Sequence, residues 1–178
     1  SAPDYVLVPS ADKDLFIAEA KQAIARRLPR LCDNPDYTHM VDRESWERMT
    51  ALVEDARDGG AEVFHVNPAG EDWTADGRVY APTLVANVND RMRVMQEEIF
   101  GPVLPIVTYG TLDEAIAFIN ARPRPLALYY FDTDSDRIRR VLESTTSGGC
   151  AVNDCVLHVG QNNLPFGEIG RASCRERV

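Results

Sequence analysis

Metal-binding and thiol residues are scarce in this chain, with four cysteines and three histidines in 178 residues. Cys32, Cys150, Cys155 and Cys174 form no CxxC pair and are too irregularly spaced for a disulfide framework, so a reducing compartment is expected. His39, His65 and His158 lie far apart in the chain, which argues against a zinc site. The chain also lacks the ~18 to 20 uninterrupted apolar residues of a membrane span. Nothing near its N-terminus joins a basic segment to an apolar one, so no membrane association is expected and the location reads as cytoplasmic. Positive charge is in short supply: 19 Lys and Arg face 28 Asp and Glu, a net of −9. That balance excludes nucleic acid or an anionic surface as the main partner. The glycine-rich phosphate loops GxGxxG and GxxxxGK[ST], the GxSxG elbow and HExxH are all missing, as is any internal repeat.

What remains is ordinary globular material, 44% hydrophobic and 26% charged, long enough to bury a core. Tyr5–Val8 before Pro9 has the pattern of a short buried strand. Ser10 is a plausible N-cap for a helix carrying Phe16, Ile17, Ala20, Ile24 and Leu28 on one face and stopped by Pro29. Asp42 is placed to cap a second helix with Trp46, Met49, Leu52, Val53 and Ala56 inward, closed by Gly59-Gly60. Strands are expected over Ala61–Val66 and Val79–Val85, Pro82 favouring an edge or an irregular position, and Arg91–Glu98 reads as two helical turns.

After the turn at Gly101-Pro102 comes a buried strand, then a helix capped by Thr111 with Glu114 at the capping-box position. Leu126–Phe131 reads as a strand, Asp134 or Ser135 caps a further helix, and Cys150–Val152 is a last strand after Gly148-Gly149. Strand, helix, strand, helix, strand predicts an α/β fold built on a parallel sheet.

Five stretches, in order, carry a resemblance: Ala2-Pro3-Asp4-Tyr5-Val6; Gln96-Glu97-Glu98-Ile99-Phe100-Gly101-Pro102-Val103; Arg124-Pro125-Leu126-Ala127-Leu128-Tyr129; Ser147-Gly148-Gly149 leading to Val152-Asn153-Asp154; and Leu164-Pro165-Phe166-Gly167. Together they resemble the aldehyde dehydrogenase family, in particular its class 3 branch and within it the coniferyl-aldehyde subgroup. The resemblance implies that residues 1–168 are the C-terminal part of a catalytic domain, incomplete at both ends. The activity it implies is NAD- or NADP-dependent oxidation of an aromatic or aliphatic aldehyde to the acid, through a cysteine thiohemiacetal and thioester, in a homodimeric enzyme.

Residue by residue, the resemblance assigns Glu98 and Phe100 to the cofactor. A carboxylate accepts hydrogen bonds from both ribose hydroxyls and the ring walls the nicotinamide end. Glu97 is expected to be only a solvated neighbour. Asn153, Val156, Val159 and Phe166 are assigned to the aldehyde channel, Val156 and Val159 serving equally well as core residues. His158 is read as a loop support, and Cys150 and Cys155 as thiols without a chemical role. The family's nucleophile belongs in a Gly-Gln-x-Cys run expected just before Ser1, so this stretch alone is expected to be inactive.

After Gly167 the chain departs from the family pattern. Residues 169–178 match one reading frame of a sequencing-adapter oligonucleotide and are read as foreign; without them the chain is more acidic. Two alternatives stay open: a non-catalytic binding or assembly subunit, or a semialdehyde or acyl-transferring branch of the superfamily.

Overall fold

The structure, a computed structural model, describes residues 3–157. It divides into two compact units, one over Ala2–Gly110 and the other from Thr111 onward.

The first unit holds β1 (Val6–Pro9), α1 (Lys13–Arg27), α2 (Arg43–Asp58), β2 (Glu62–His65), β3 (Thr83–Ala86) and β4 (Val103–Tyr109). The strands lie in the order β1-β4-β3-β2. β1, β4 and β3 are parallel, and β2 is an antiparallel edge strand. The sheet is therefore parallel as expected apart from this edge. Because side chains alternate across a strand, β3 serves two cores. Val85 joins Met49, Leu52 and Val53 of α2, whereas Leu84 and Ala86 join Ile17 of α1. Each buried aliphatic of this kind stabilises by roughly 1.5–3 kcal/mol relative to exposure.

β4 contains Pro105, which has no N–H to give a ladder. The strand accommodates it at a changeover: β3 pairs with Val103 to Pro105, and β1 takes over from Ile106. Pro82 stands just outside β3, an irregular position, and its carbonyl accepts from the Val66 N–H at 2.8 Å.

Two local expectations are corrected. The Ser10 hydroxyl does not cap a helix but donates to the Tyr109 carbonyl of β4 at 3.0 Å, and α1 begins only at Lys13 after a 3-10 turn. Arg91–Glu98 makes a single 3-10 turn, Arg93–Met95, instead of two α-helical turns. There the Arg93 N–H is taken by the Asp55 carboxylate at 2.8 Å, and Gln96 Nε2 donates to the Asp90 carbonyl at 2.7 Å, so partners outside a helix hold the loop.

The second unit contains α3 (Leu112–Asn120), β5 (Ala127–Tyr130), α4 (Ser135–Ser144) and β6 (Gly149–Val152). β5 and β6 pair in parallel from Ala127↔Gly149 to Tyr130↔Val152, with α4 as the crossover such a pair requires. Asp134 caps α4, accepting from the N–H groups of Asp136 and Arg137 at 2.9 Å each. Thr111 and Glu114 form the expected capping box on α3. Thr111→Ala is therefore expected to lower stability by about 1 kcal/mol, read from a shift in the urea midpoint, and Thr111→Ser is expected to retain most of it.

On β2, His65 lies beside Trp73 and Tyr80, with ring centroids 5.3 and 6.4 Å away. Burial pushes the Tyr80 phenol up to about 12. The Thr83 hydroxyl donates to the Ala81 carbonyl at 2.8 Å, so it accepts from His65 Nδ1–H, also at 2.8 Å. The other ring nitrogen then faces Arg57 at 3.4 Å as an acceptor. Desolvation first, and the Arg57 charge second, hold the imidazole below its ordinary 6.5. A depressed histidine means the unfolded chain binds more protons, so this contribution is complete above pH 6.5 and is lost as pH falls toward the folded value. NMR titration should place the His65 midpoint below 6.5; a midpoint above it contradicts the burial of the ring beside Arg57.

Candidate functional site

The stretch before β4 is built around one buried side chain. Ile99 is 1% exposed and sits in the core with Met49, Val53 and Val103. Its neighbours on both sides, Glu98 and Phe100, are exposed. Ile99 thus acts as an anchor that leaves an acid and an aromatic ring on the surface.

The backbone here is held by charged side chains from elsewhere in the same unit. Arg48 of α2 donates through Nη1 to the Glu98 carbonyl at 3.2 Å and through Nη2 to the Ile99 carbonyl. Asp4 accepts from the Ile99 N–H at 3.3 Å. Neither residue's role is visible locally: Asp4 lies inside the Ala-Pro-Asp-Tyr-Val stretch, but its partner is 95 positions on.

The two adjacent acids behave differently. Glu97 is clamped by Arg93 through two bonds, Nε to Oε1 at 2.7 Å and Nη2 to Oε2 at 3.3 Å, and that hydrogen bonding lowers its pKa. Among the described residues, the Glu98 carboxylate takes no side-chain partner, and the residue is exposed.

Phe100 is 79% exposed and has a φ of +52°. A bulky L-residue in the left-handed region costs roughly 1–2 kcal/mol, and exposure of the ring forgoes the gain of burying it. Such an outlier points to a functional constraint. Gly101 follows, where a Cβ would lie 2.6 Å from Cε of Met49, so a larger residue there requires the Met49 side chain to move.

In the second unit, Asn153 follows β6 with a φ of +56°, a conformation asparagine tolerates better than most residues. Its N–H donates to the Tyr130 carbonyl at 2.8 Å. Its side-chain oxygen accepts from the Asp132 N–H at 2.9 Å, and its amide nitrogen donates to the Asp132 carbonyl at 2.8 Å. The side chain therefore ties the ends of β5 and β6 together. Arg137 donates to both oxygens of Asp132 at 2.7 and 2.6 Å, the Tyr130 hydroxyl adds a third bond at 2.8 Å, and the Arg137 contact leads in holding this carboxyl well below the usual carboxylate range. Asp132 and Arg137 went unnoticed in the sequence because their chemistry is that of any helix-start acid and basic residue.

Val156 is 45% exposed at a φ of +68°, an unusual backbone for a β-branched residue, and Leu157 beside it is exposed too. Val159, Phe166 and His158 lie outside the described residues, as does the segment 169–178. Cys150 and Cys155 are exposed; desolvation raises the Cys150 thiol, which keeps it from being a ready thiolate. Among the described residues no cluster of His, Cys, Asp and Glu is suited to a metal ion, and no helix is long and apolar enough to cross a membrane.

The description "Aldehyde dehydrogenase family" fits residues 1–174. The chain belongs to the aldehyde dehydrogenase family. It is 54% identical over 172 residues to a probable coniferyl aldehyde dehydrogenase of Caulobacter vibrioides, covering 96% of this chain and 36% of that protein. Among solved structures it is similar to Staphylococcus aureus AldH in a substrate-bound state, with a TM-score of 0.83 and 38% identity over 94% of this chain and 35% of that one. It is also similar to the P. syringae indole-3-acetaldehyde dehydrogenase AldA, solved as a mutant with NAD+ and IAA, with a TM-score of 0.79 and 26% identity over 93% and 33% of the two chains. The chain thus spans about a third of the length of the aldehyde dehydrogenases it matches. The family match also runs past residue 168 into the segment beginning at 169.

The bridge from Asn153 to Asp132 generates its own test. Asn153→Ala removes two hydrogen bonds and puts alanine in left-handed backbone, a loss of about 2 kcal/mol. Asn153→Gly relieves the backbone part and is expected to fall between alanine and wild type in urea denaturation.

Proposed function

We propose that the full-length protein oxidises an aldehyde to the carboxylic acid with NAD or NADP, and that Glu98 and Phe100 hold the nicotinamide-ribose end of that cofactor. The observation that carries this reading is an exposed carboxylate, without a side-chain partner among the described residues, two residues from an exposed phenylalanine in left-handed backbone. Both fit the group: a ribose diol offers two donors to two acceptor oxygens, and the nicotinamide ring offers an apolar face to the phenyl ring. A nicotinamide cofactor held there by Glu98 and Phe100 would supply the hydride acceptor for the oxidation.

Glu98 orients the ribose and Phe100 confines the adjoining ring, so the distance over which hydride moves is set by backbone already held by Arg48, Asp4 and the burial of Ile99. Prepaid positioning of this kind supplies a large part of an enzymatic rate. Glu97 takes no part, being held by Arg93. Asn153, Val156, Val159 and Phe166 remain our candidates for the aldehyde channel. The exposed apolar side chain of Val156 supports that reading for its position, whereas the Asn153 amide also serves the strand ends. The similarity to a probable coniferyl aldehyde dehydrogenase supports an aromatic aldehyde as substrate.

In the full-length protein, Glu98→Ala removes a charged hydrogen-bond acceptor, a net loss of about 1.5–3 kcal/mol, and kcat/KM for the cofactor is expected to fall about ten- to a hundred-fold. Steady-state kinetics and cofactor affinity that are both unchanged would remove the assignment.

A further inference from the structure

We propose that Arg48 is a positioning residue for the cofactor: its guanidinium fork, bonded to the carbonyls of Glu98 and Ile99, sets the turn that presents the Glu98 carboxylate and the Phe100 ring. This rests on the cofactor reading of those two residues.

Successive carbonyls of an extended strand point to opposite sides, yet those of residues 98 and 99 converge on one side chain. The chain is therefore bent at this point, immediately before the left-handed Phe100. A guanidinium suits the task, because its planar fork delivers two N–H groups in fixed directions, whereas an ammonium on a flexible stem does not. Asp4 holds the opposite edge of the same peptide through the Ile99 N–H, so charged side chains grip that residue's main chain at both its donor and its acceptor.

The next residue of α2 completes the arrangement. Met49 is fully buried and lies so close to Gly101 that a Cβ there would approach its Sδ to 3.0 Å and its Cε to 2.6 Å. Arg48 and Asp4 thus hold the chain just before Phe100, and just after it Met49 fills the space that a side chain at residue 101 would need. A residue in sparsely populated backbone persists only where its surroundings over-determine it, and these contacts supply that restraint. Arg48 need not touch the cofactor; it acts through Glu98 and Phe100.

The test uses the full-length enzyme with Arg48→Ala, Arg48→Lys, Glu98→Ala and the double variant R48A/E98A, measuring cofactor KM, aldehyde KM at saturating cofactor, and kcat. Arg48→Ala is expected to raise the cofactor KM about ten-fold, the loss of roughly one charge-assisted hydrogen bond, with aldehyde KM unchanged. Arg48→Lys is expected to recover less than half of that loss, and added guanidinium chloride below denaturing concentration is expected to restore Arg48→Ala. In the double variant the Arg48 change should add less than two-fold to the Glu98→Ala effect, as expected for groups acting in series. Should Arg48→Ala fail to fold, Arg48→Lys decides: wild-type cofactor KM in that folded variant overturns the proposal. Fully multiplicative effects in the double variant, or equal changes in both KM values, overturn it as well. If Arg48→Ala is silent while Glu98→Ala weakens cofactor use, the positioning role falls and the cofactor reading stands. If Glu98→Ala is itself silent, both fall.

Discussion

The burial of Ile99 beneath α2 is the constraint on which the candidate site depends. One isoleucine, inserted beside Met49 and Val53, fixes the height and direction of the chain entering β4. Once it is in place, the flanking side chains cannot share its pocket, and an acid and a phenylalanine are left facing outward. The hydrophobic effect sets the position of the turn, and the directional bonds from Arg48 and Asp4 set its shape. Phe100 bears the cost in backbone conformation and in exposed area.

The sheet of this unit provides the rigid base. β4 runs between β1 and β3, helices cover both faces, and the loop that carries Glu98 leads straight into β4. Pro105, which would break a continuous ladder, falls where the strand passes from one neighbour to the other. In the second unit a comparable economy operates at the ends of β5 and β6, where the Asn153 amide, the Asp132 carboxylate and Arg137 lock the strand ends to the start of α4. The two arrangements share a principle: polar side chains hold main chain that must leave regular structure.

Much of this could be read from the amino-acid sequence, and the reason is locality. The caps at Asp42, Thr111 and Asp134 act on N–H groups two or three residues away, so residue type and spacing suffice to find them. The failures have the opposite character. The Ser10 hydroxyl is drawn off by a carbonyl ninety-nine positions away, and the loop over Arg91–Glu98 is tied down by Asp55, thirty-eight positions back. Nothing in residue type or spacing marks Arg48 out on its amphipathic helix, and its partners lie fifty positions on. Glu98 and Phe100 are singled out by the resemblance of the whole Gln96–Val103 stretch, since residue type alone does not separate Glu98 from Glu97; the Arg93 clamp distinguishes the two acids.

The central claim is that a turn shaped by α2 presents Glu98 and Phe100 to a nicotinamide cofactor, and a crystal structure of the full-length enzyme with NAD or NADP bound tests it most directly. The account predicts the Glu98 carboxylate within hydrogen-bond distance of both hydroxyls of the nicotinamide ribose, the Phe100 ring against the nicotinamide end, and the Arg48 fork still on the carbonyls of Glu98 and Ile99. A ribose held by other groups, with Glu98 and Phe100 remaining exposed to solvent, would contradict it.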